Sequence, residues 1–325
     1  MPRSTTRSST RPERAPAAAP VSLGGGAALT VDVEEWYHNC WVPEYVDPAR
    51  RGRLVEELDR LLPETVERFA RLRLRATFFV LGEVARRLPA AIRAVAAAGH
   101  EIACHGELHL RANDRSPDEF RCDVTRAKAC LEDLIGAAVD GFRAPEWSLR
   151  STDNPRLRIV AEAGYRYDSS LMSAPGAGGR GNPTRPVRFT WPDGVGLLEI
   201  PPLVWGGPLR LPAGGWCGRV ASPRRLARTV ARGAERGELP LLVVHPWELV
   251  SRPCPGLLTG FARFLHEAGR EGFGSRFDRL AADLDCAATL SERCASLGAG
   301  GRARARQVAF AGAAGFAARA AETMP

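Results

Sequence analysis

Short apolar runs alternating with amphipathic helical stretches restrict this chain's fold more than any other feature. The runs are ALTVDV, ATFFVLG, HEIACHG, DGFRAP, GYRYDSS, LLEIPP and LPLLVVHPW. The helical patterns between them are GRLVEELDRLLPETVERFARLRL, broken near Pro63, and EVARRLPAAIRAVAAAG, ending at Gly99. PDEFRCDVTRAKACLEDLIG follows, with Ser116 as cap and Pro117 at the first helical position. PRLRIVAEAG, SPRRLARTVARGAERGE and GLLTGFARFLHEAGREG continue the series. Strands of this kind separated by helices specify βαβ units and a parallel sheet. About seven repeats, without GxGxxG or GxxxxGK[ST], point to an α/β barrel rather than a nucleotide fold.

The polar residues of interest stand at the C-terminal ends of these runs. Asp32 follows ALTV, His105 follows HEIAC, Arg143 follows DGF, Asp168 follows GYRY, and His245 follows LPLLVV. In a barrel of parallel strands those ends meet on one rim, where sites are built.

Charge first suggests a nucleic-acid partner, since the formal net charge is +8. Its distribution argues against one. Residues 1–26 and 286–325 each carry +3, leaving about +2 for everything between. The first 26 residues, rich in Ser, Thr, Arg, Pro and Ala, are expected to be disordered. Residues 286–325 read as a low-complexity Ala/Gly/Arg tail. Eight cysteines without CxxC spacing suit reduced thiols. No apolar signal region and no stretch of roughly 18–20 apolar residues is present, so the expectation is a cytoplasmic protein without a membrane span. Oligomeric state is not legible.

CHGELHL places His105 and His109 four apart, close to the HExxH zinc-protease signature but with Gly106 where the glutamate should stand. Two histidines at a strand-to-helix junction can converge on one ion, and a third ligand must then come from another strand end. DVEEWYH offers Asp32, Glu34 and Glu35 directly after a buried strand, a costly place for unpaired acids. Asp32 and Glu34 are two apart and in extended chain point the same way, one able to ligate while the other acts as a base. Each cluster alone has a plain alternative: a core histidine, a solvated acidic loop, a surface arginine. Together they are five complementary groups at separate strand ends.

In order, the landmarks TVDVEEW, ATFFVLG, GHEIACHGELH, FRAPEWSL, GYRYDSSL, EIPP and HPWEL resemble the polysaccharide deacetylase family. This is the NodB-homology group, carbohydrate esterase family four. The branch carrying DVE near the start and HPWE near the end is the most similar. The resemblance covers roughly residues 27–285, which it implies are the catalytic domain. It implies a distorted (β/α) barrel and metal-assisted removal of acetyl groups from N-acetylated glycans. The implied cofactor is a divalent metal: zinc, with cobalt, nickel or manganese as substitutes. The family pattern maps Asp32 onto the general base, His105 and His109 onto metal ligands, and Arg143 onto the residue orienting the base. It maps His245 onto the general acid and Asp168 onto the carboxylate tuning that acid. The family's metal carboxylate usually follows the base directly. Val33 stands there instead, so the transfer goes to Glu34, with Glu35 as the alternative.

Two further departures are Gly106, where many members have Ser or Thr, and Glu146–Trp147, where an aromatic usually follows the proline. Glu107 has no expected catalytic role. Trp36, Trp41, Trp147 and Trp247 are candidates to stack on sugar faces, although core packing is the commoner fate of tryptophan. Competing readings are hydrolysis of another amide C–N bond and a catalytically inactive glycan-binding barrel.

Overall fold

The computed structural model describes residues 26–38, 42, 56–206, 210–250, 258–282, 284, 286–299 and 308–309. Residues 1–25, most of the tail beyond residue 299 and Trp41 lie outside the described residues. The strands are β1 (Ala28–Val33), β2 (Thr77–Val80), β3 (Glu101–Cys104), β4 (Gly141–Phe142), β5 (Tyr167–Asp168), β6 (Val187–Thr190), β7 (Gly196–Glu199), β8 (Leu241–Val244) and β9 (Val308–Ala309). They form one curled sheet in the order β8-β1-β2-β3-β4-β5-β7-β6-β9.

All seven expected strands lie in the arc from β8 to β7, and every neighbouring pair in it is parallel. The barrel is distorted because β6 runs antiparallel on β7, with Val187 opposite Glu199. The chain leaving β7 reaches back to the other edge, where the Leu203 N–H donates to the Leu241 carbonyl at 3.0 Å.

Alternation along each strand separates two cores. Leu29, Val31 and Val33 of β1 face outward and pack with Leu62, Phe69 and Phe78 under the helical layer. Ala28 faces inward with Phe79, Ala103, Tyr167, Leu198, Leu241 and Val243. Thr30 and Asp32 share the inward parity of Ala28, which directs the last polar residue of β1 to the barrel rim.

The helix Pro117–Ile135 begins as the sequence predicts. Ser116 and Glu119 form a reciprocal capping box, Pro117 takes the first position, and Gly136 ends it with φ +68°. Pro63 does not interrupt its helix, which runs from Leu58 to Arg71. Pro63 lies on the exposed face, where water can serve the carbonyl that loses its N–H partner.

The boundary expected at residue 286 falls inside packed chain. Cys286 and Leu290 are buried, and the helix Leu290–Ala299 follows. Leu290 N–H donates to Thr77 Oγ1 at 3.0 Å, and Arg293 Nη2 to the Ala27 carbonyl at 2.8 Å, closing the end of the barrel opposite the rim. No helix among the described residues is long and apolar enough to cross a membrane.

Candidate active site

At the rim, Asp32, Glu34, His38, His105, His109, Ala144, Glu146, Trp147 and His245 enclose a pit of about 90 Å³. Four of the five groups expected at strand ends reach this region: Asp32, His105 and His245 line the pit, and Arg143 lies behind Asp32.

The Arg143 side chain is fully buried inside the barrel, which demands partners for its charge. Nη1 pairs with Asp32 Oδ1 at 2.5 Å and donates to Thr30 Oγ1 at 3.0 Å. Nε and Nη2 donate to Ser169, to the carbonyl at 3.2 Å and the hydroxyl at 3.1 Å. The guanidinium lies over the Phe79 ring at 4.0 Å. Arg143 therefore fixes one Asp32 oxygen in place.

Glu34, His105 and His109 each bring a donor atom to within 4.8 Å of the other two, and all three are buried. Glu34 Oε2 is 2.6 Å from His109 Nε2 and 3.7 Å from His105 Nε2. His105 Nδ1 is 2.9 Å from the Arg143 carbonyl. That bond requires the proton on Nδ1 and leaves the Nε2 lone pair facing the pit, the usual arrangement of a metal-ligating histidine. Two imidazoles and one carboxylate form a donor set suited to zinc and related divalent ions, with room for a further ligand.

Glu35 does not compete with Glu34. It turns away, accepts from the N–H groups of Glu57 and Leu58, and pairs with Arg87 Nη2 at 2.5 Å. It thus serves the start of the Leu58–Arg71 helix. Glu107 is occupied outside the pit by Arg86 and by Arg126 at 3.4 Å. Gly106 has φ +89°, and an added Cβ would lie 3.1 Å from Asp123 Oδ2. The turn that swings His109 back toward His105 favours glycine on both counts.

The partner of His245 corrects the sequence reading. Its Nδ1 meets Glu248 Oε2 at 2.8 Å, and its Nε2 lies 3.3 Å from Glu34 Oε1. Asp168 instead accepts from Ser170 Oγ at 2.5 Å and faces Glu199. Both acids are fully buried, and the Asp168 Oδ2 and Glu199 Oε2 atoms have no donor. Burial, together with the charge of Asp168, pushes the Glu199 carboxyl well above the usual range. One proton between the two oxygens satisfies both. Glu248 was recoverable from HPWE: an acid three residues after a strand-end group, with Pro between, has capping-box spacing, and its Oε2 accepts the His245 backbone N–H at 3.0 Å as well as meeting Nδ1.

Burial opposes protonation of His245, but the Glu248 and Glu34 carboxylates override it and lift its pKa to about 9. The protonated form is present below that pH and lost above it. Glu248→Gln removes the main compensating charge. The basic limb of a pH–rate profile should then move down toward the ordinary histidine range near 6.5. An unchanged basic limb would show that Glu248 does not set this proton.

The expected sugar-stacking residues separate. Trp36 is 1% exposed and packs with Tyr37, Val42 and Leu258, so it belongs to the core. Trp147 and Trp247 are half-buried and line a groove of about 530 Å³ that shares Glu34, Glu146, Trp147 and His245 with the pit. Trp247 is sandwiched between His245 at 5.2 Å and His266 at 4.7 Å. Glu146 and Trp147 have φ +53° and +49°, a strained pair that turns both side chains into the rim. His38 was also missed as a pit residue. It stacks on His109 at 6.0 Å, and its Nδ1 accepts from the Glu35 N–H.

Known proteins resemble parts of this chain. Residues 58–167 match the polysaccharide deacetylase family. Over that segment the chain is similar to the family. Similar proteins include a peptidoglycan deacetylase of Helicobacter pylori, 26% identical over 148 residues, which are 45% of this chain and 49% of the relative. A chitooligosaccharide deacetylase of Azorhizobium caulinodans is 34% identical over 94 residues, 28% of this chain and 42% of the relative. The aligned segment spans half or less of either relative. A Mycobacterium smegmatis structure assigned to the polysaccharide deacetylases superposes with a TM-score of 0.57 at 23% identity, covering 89% of this chain and 96% of that one. An allantoinase structure superposes at 0.52 with 17% identity, covering 84% and 90%. The deacetylase barrel is thus a fold that also carries another named activity.

Proposed function

We propose that this protein is a metal-dependent hydrolase that removes N-acetyl groups from the amino sugars of a glycan, releasing acetate. The observation supporting this most strongly is the meeting of three sets around one pit: Asp32 with Arg143, Glu34 with His105 and His109, and His245 with Glu248. The named activities of the relatives agree with it.

Glu34, His105 and His109 would hold a divalent ion, zinc or one of its substitutes, supplying a Lewis acid for the acetamide carbonyl and for activating water. Asp32, fixed by Arg143, takes the proton of the attacking water as the water oxygen bonds to the acetyl carbon. His245, kept protonated by Glu248, gives its proton to the sugar nitrogen as the C–N bond breaks. The products are acetate and a free amino sugar, and the step leaves Asp32 holding the proton from water and His245 one proton short, a difference that exchange with solvent resets. Trp147 and Trp247 offer apolar faces to sugar rings along the groove.

The allantoinase likeness makes a small amide the reading to exclude. Incubation of the metal-loaded protein with N-acetylglucosamine oligomers, and separately with allantoin, should give acetate from the first and no hydrolysis of the second. The reverse pattern would move the protein to small-amide hydrolysis. Turnover of neither would favour an inactive binding barrel.

A further inference from the structure

The large exposed hydrophobic residues among those described are Trp216, Val220, Phe261 and Phe264, and they are not scattered. Two stand on the helix Gly215–Val220 and two on the helix Gly260–Glu267. The helices are joined beside the groove by Arg219, whose Nη2 donates to the Leu265 carbonyl at 2.5 Å. Trp216, Ala262 and Leu265 form part of the groove wall. Leu265 and His266 fill the inward side of the second helix, so its phenylalanines point out. Phe261 is 71% exposed and Phe264 58%, and their rings stack on each other at 6.2 Å.

Apolar groups gathered at the mouth of a site mark an interaction surface. The charges around them select the partner. Arg263 lies between the two phenylalanines in sequence and is exposed, and Arg224 and Arg228 are exposed on the helix that begins just after Val220. None of the three has an ion-pair partner among the described residues. Symmetric pairing with a second copy would set this cationic face against itself. Anionic headgroups would neutralise it, while aromatic rings enter the headgroup–acyl boundary.

We propose that this face docks on an anionic lipid bilayer, holding the groove mouth at the membrane surface. Taken with the deacetylase reading, on which this extension rests, the glycan offered to the site is one carried on or beside lipid.

The test uses the full chain in sedimentation with phosphatidylcholine vesicles, with and without phosphatidylglycerol. The wild type should partition onto the anionic vesicles. Phe261→Ser with Phe264→Ser should weaken partitioning on the order of tenfold. Acetate release from soluble N-acetylglucosamine oligomers should not change, so vesicle binding and catalysis succeed or fail separately. Arg263→Glu, which leaves both rings in place, should reduce the preference for anionic vesicles, guarding against a folding defect in the double variant. Three results would overturn the proposal: no wild-type partitioning, equal partitioning of the double variant through the arginine-rich ends, or a wild-type dimer that the double variant dissolves.

Discussion

Replacing His109 with alanine should abolish stoichiometric metal binding and lower acetate release by roughly a thousandfold or more. That is the loss expected when several kcal/mol of Lewis-acid stabilisation disappears. The argument is geometric. His109 Nε2 makes the short 2.6 Å approach to Glu34, and the remaining Glu34–His105 pair is 3.7 Å apart. Two ligands cannot replace the three-donor cluster. The buried Glu34 carboxylate, now held low against burial by the histidine charges, loses a principal partner. Metal analysis of the purified variant beside the wild type is the measurement. Unchanged metal content would remove His109 from the site.

Asp32→Asn should act differently. Asparagine keeps the shape and an acceptor for Arg143 but cannot take a proton, so turnover should fall about 10²–10⁴-fold while metal binding persists. Arg143 is fully buried and depends on the Asp32 charge. Removing that charge should also cost about 3 kcal/mol of stability, the low end for a broken buried pair. Kinetics and denaturant unfolding on one preparation test both. Wild-type turnover would eliminate Asp32 as the base, and wild-type stability would mean that Thr30 and Ser169 suffice for Arg143.

Part of this site could be read from the sequence because several of its groups stand at the end of an apolar strand. In a parallel barrel, sequence position at a strand end translates into position on the rim. That logic placed Asp32, His105 and Arg143 at the rim, while Glu34, carried over from the family resemblance with Glu35 as the alternative, is the one of the two acids that lines the pit. It failed where local chemistry outranked strand-end position. Asp168 is at a strand end, yet Ser170 and Glu199 absorb it beneath the rim. Glu248, three residues inside a helix, reaches His245 through its cap. Strand β6 was missed although WPDGVG carries a turn signal, and Gly194 adopts φ +86° there. Trp36 was misread because sequence cannot say which tryptophan of a cluster turns inward. The Leu290 helix was hidden by a composition that resembles the tail beyond it.

The most direct test of a metal-dependent deacetylase is acetate release from N-acetylglucosamine oligomers before chelation, after exhaustive chelation, and after adding back one equivalent of zinc. The arrangement of Glu34, His105 and His109 predicts loss on chelation and recovery at one ion per chain. Full acetate release by the stripped protein would contradict it.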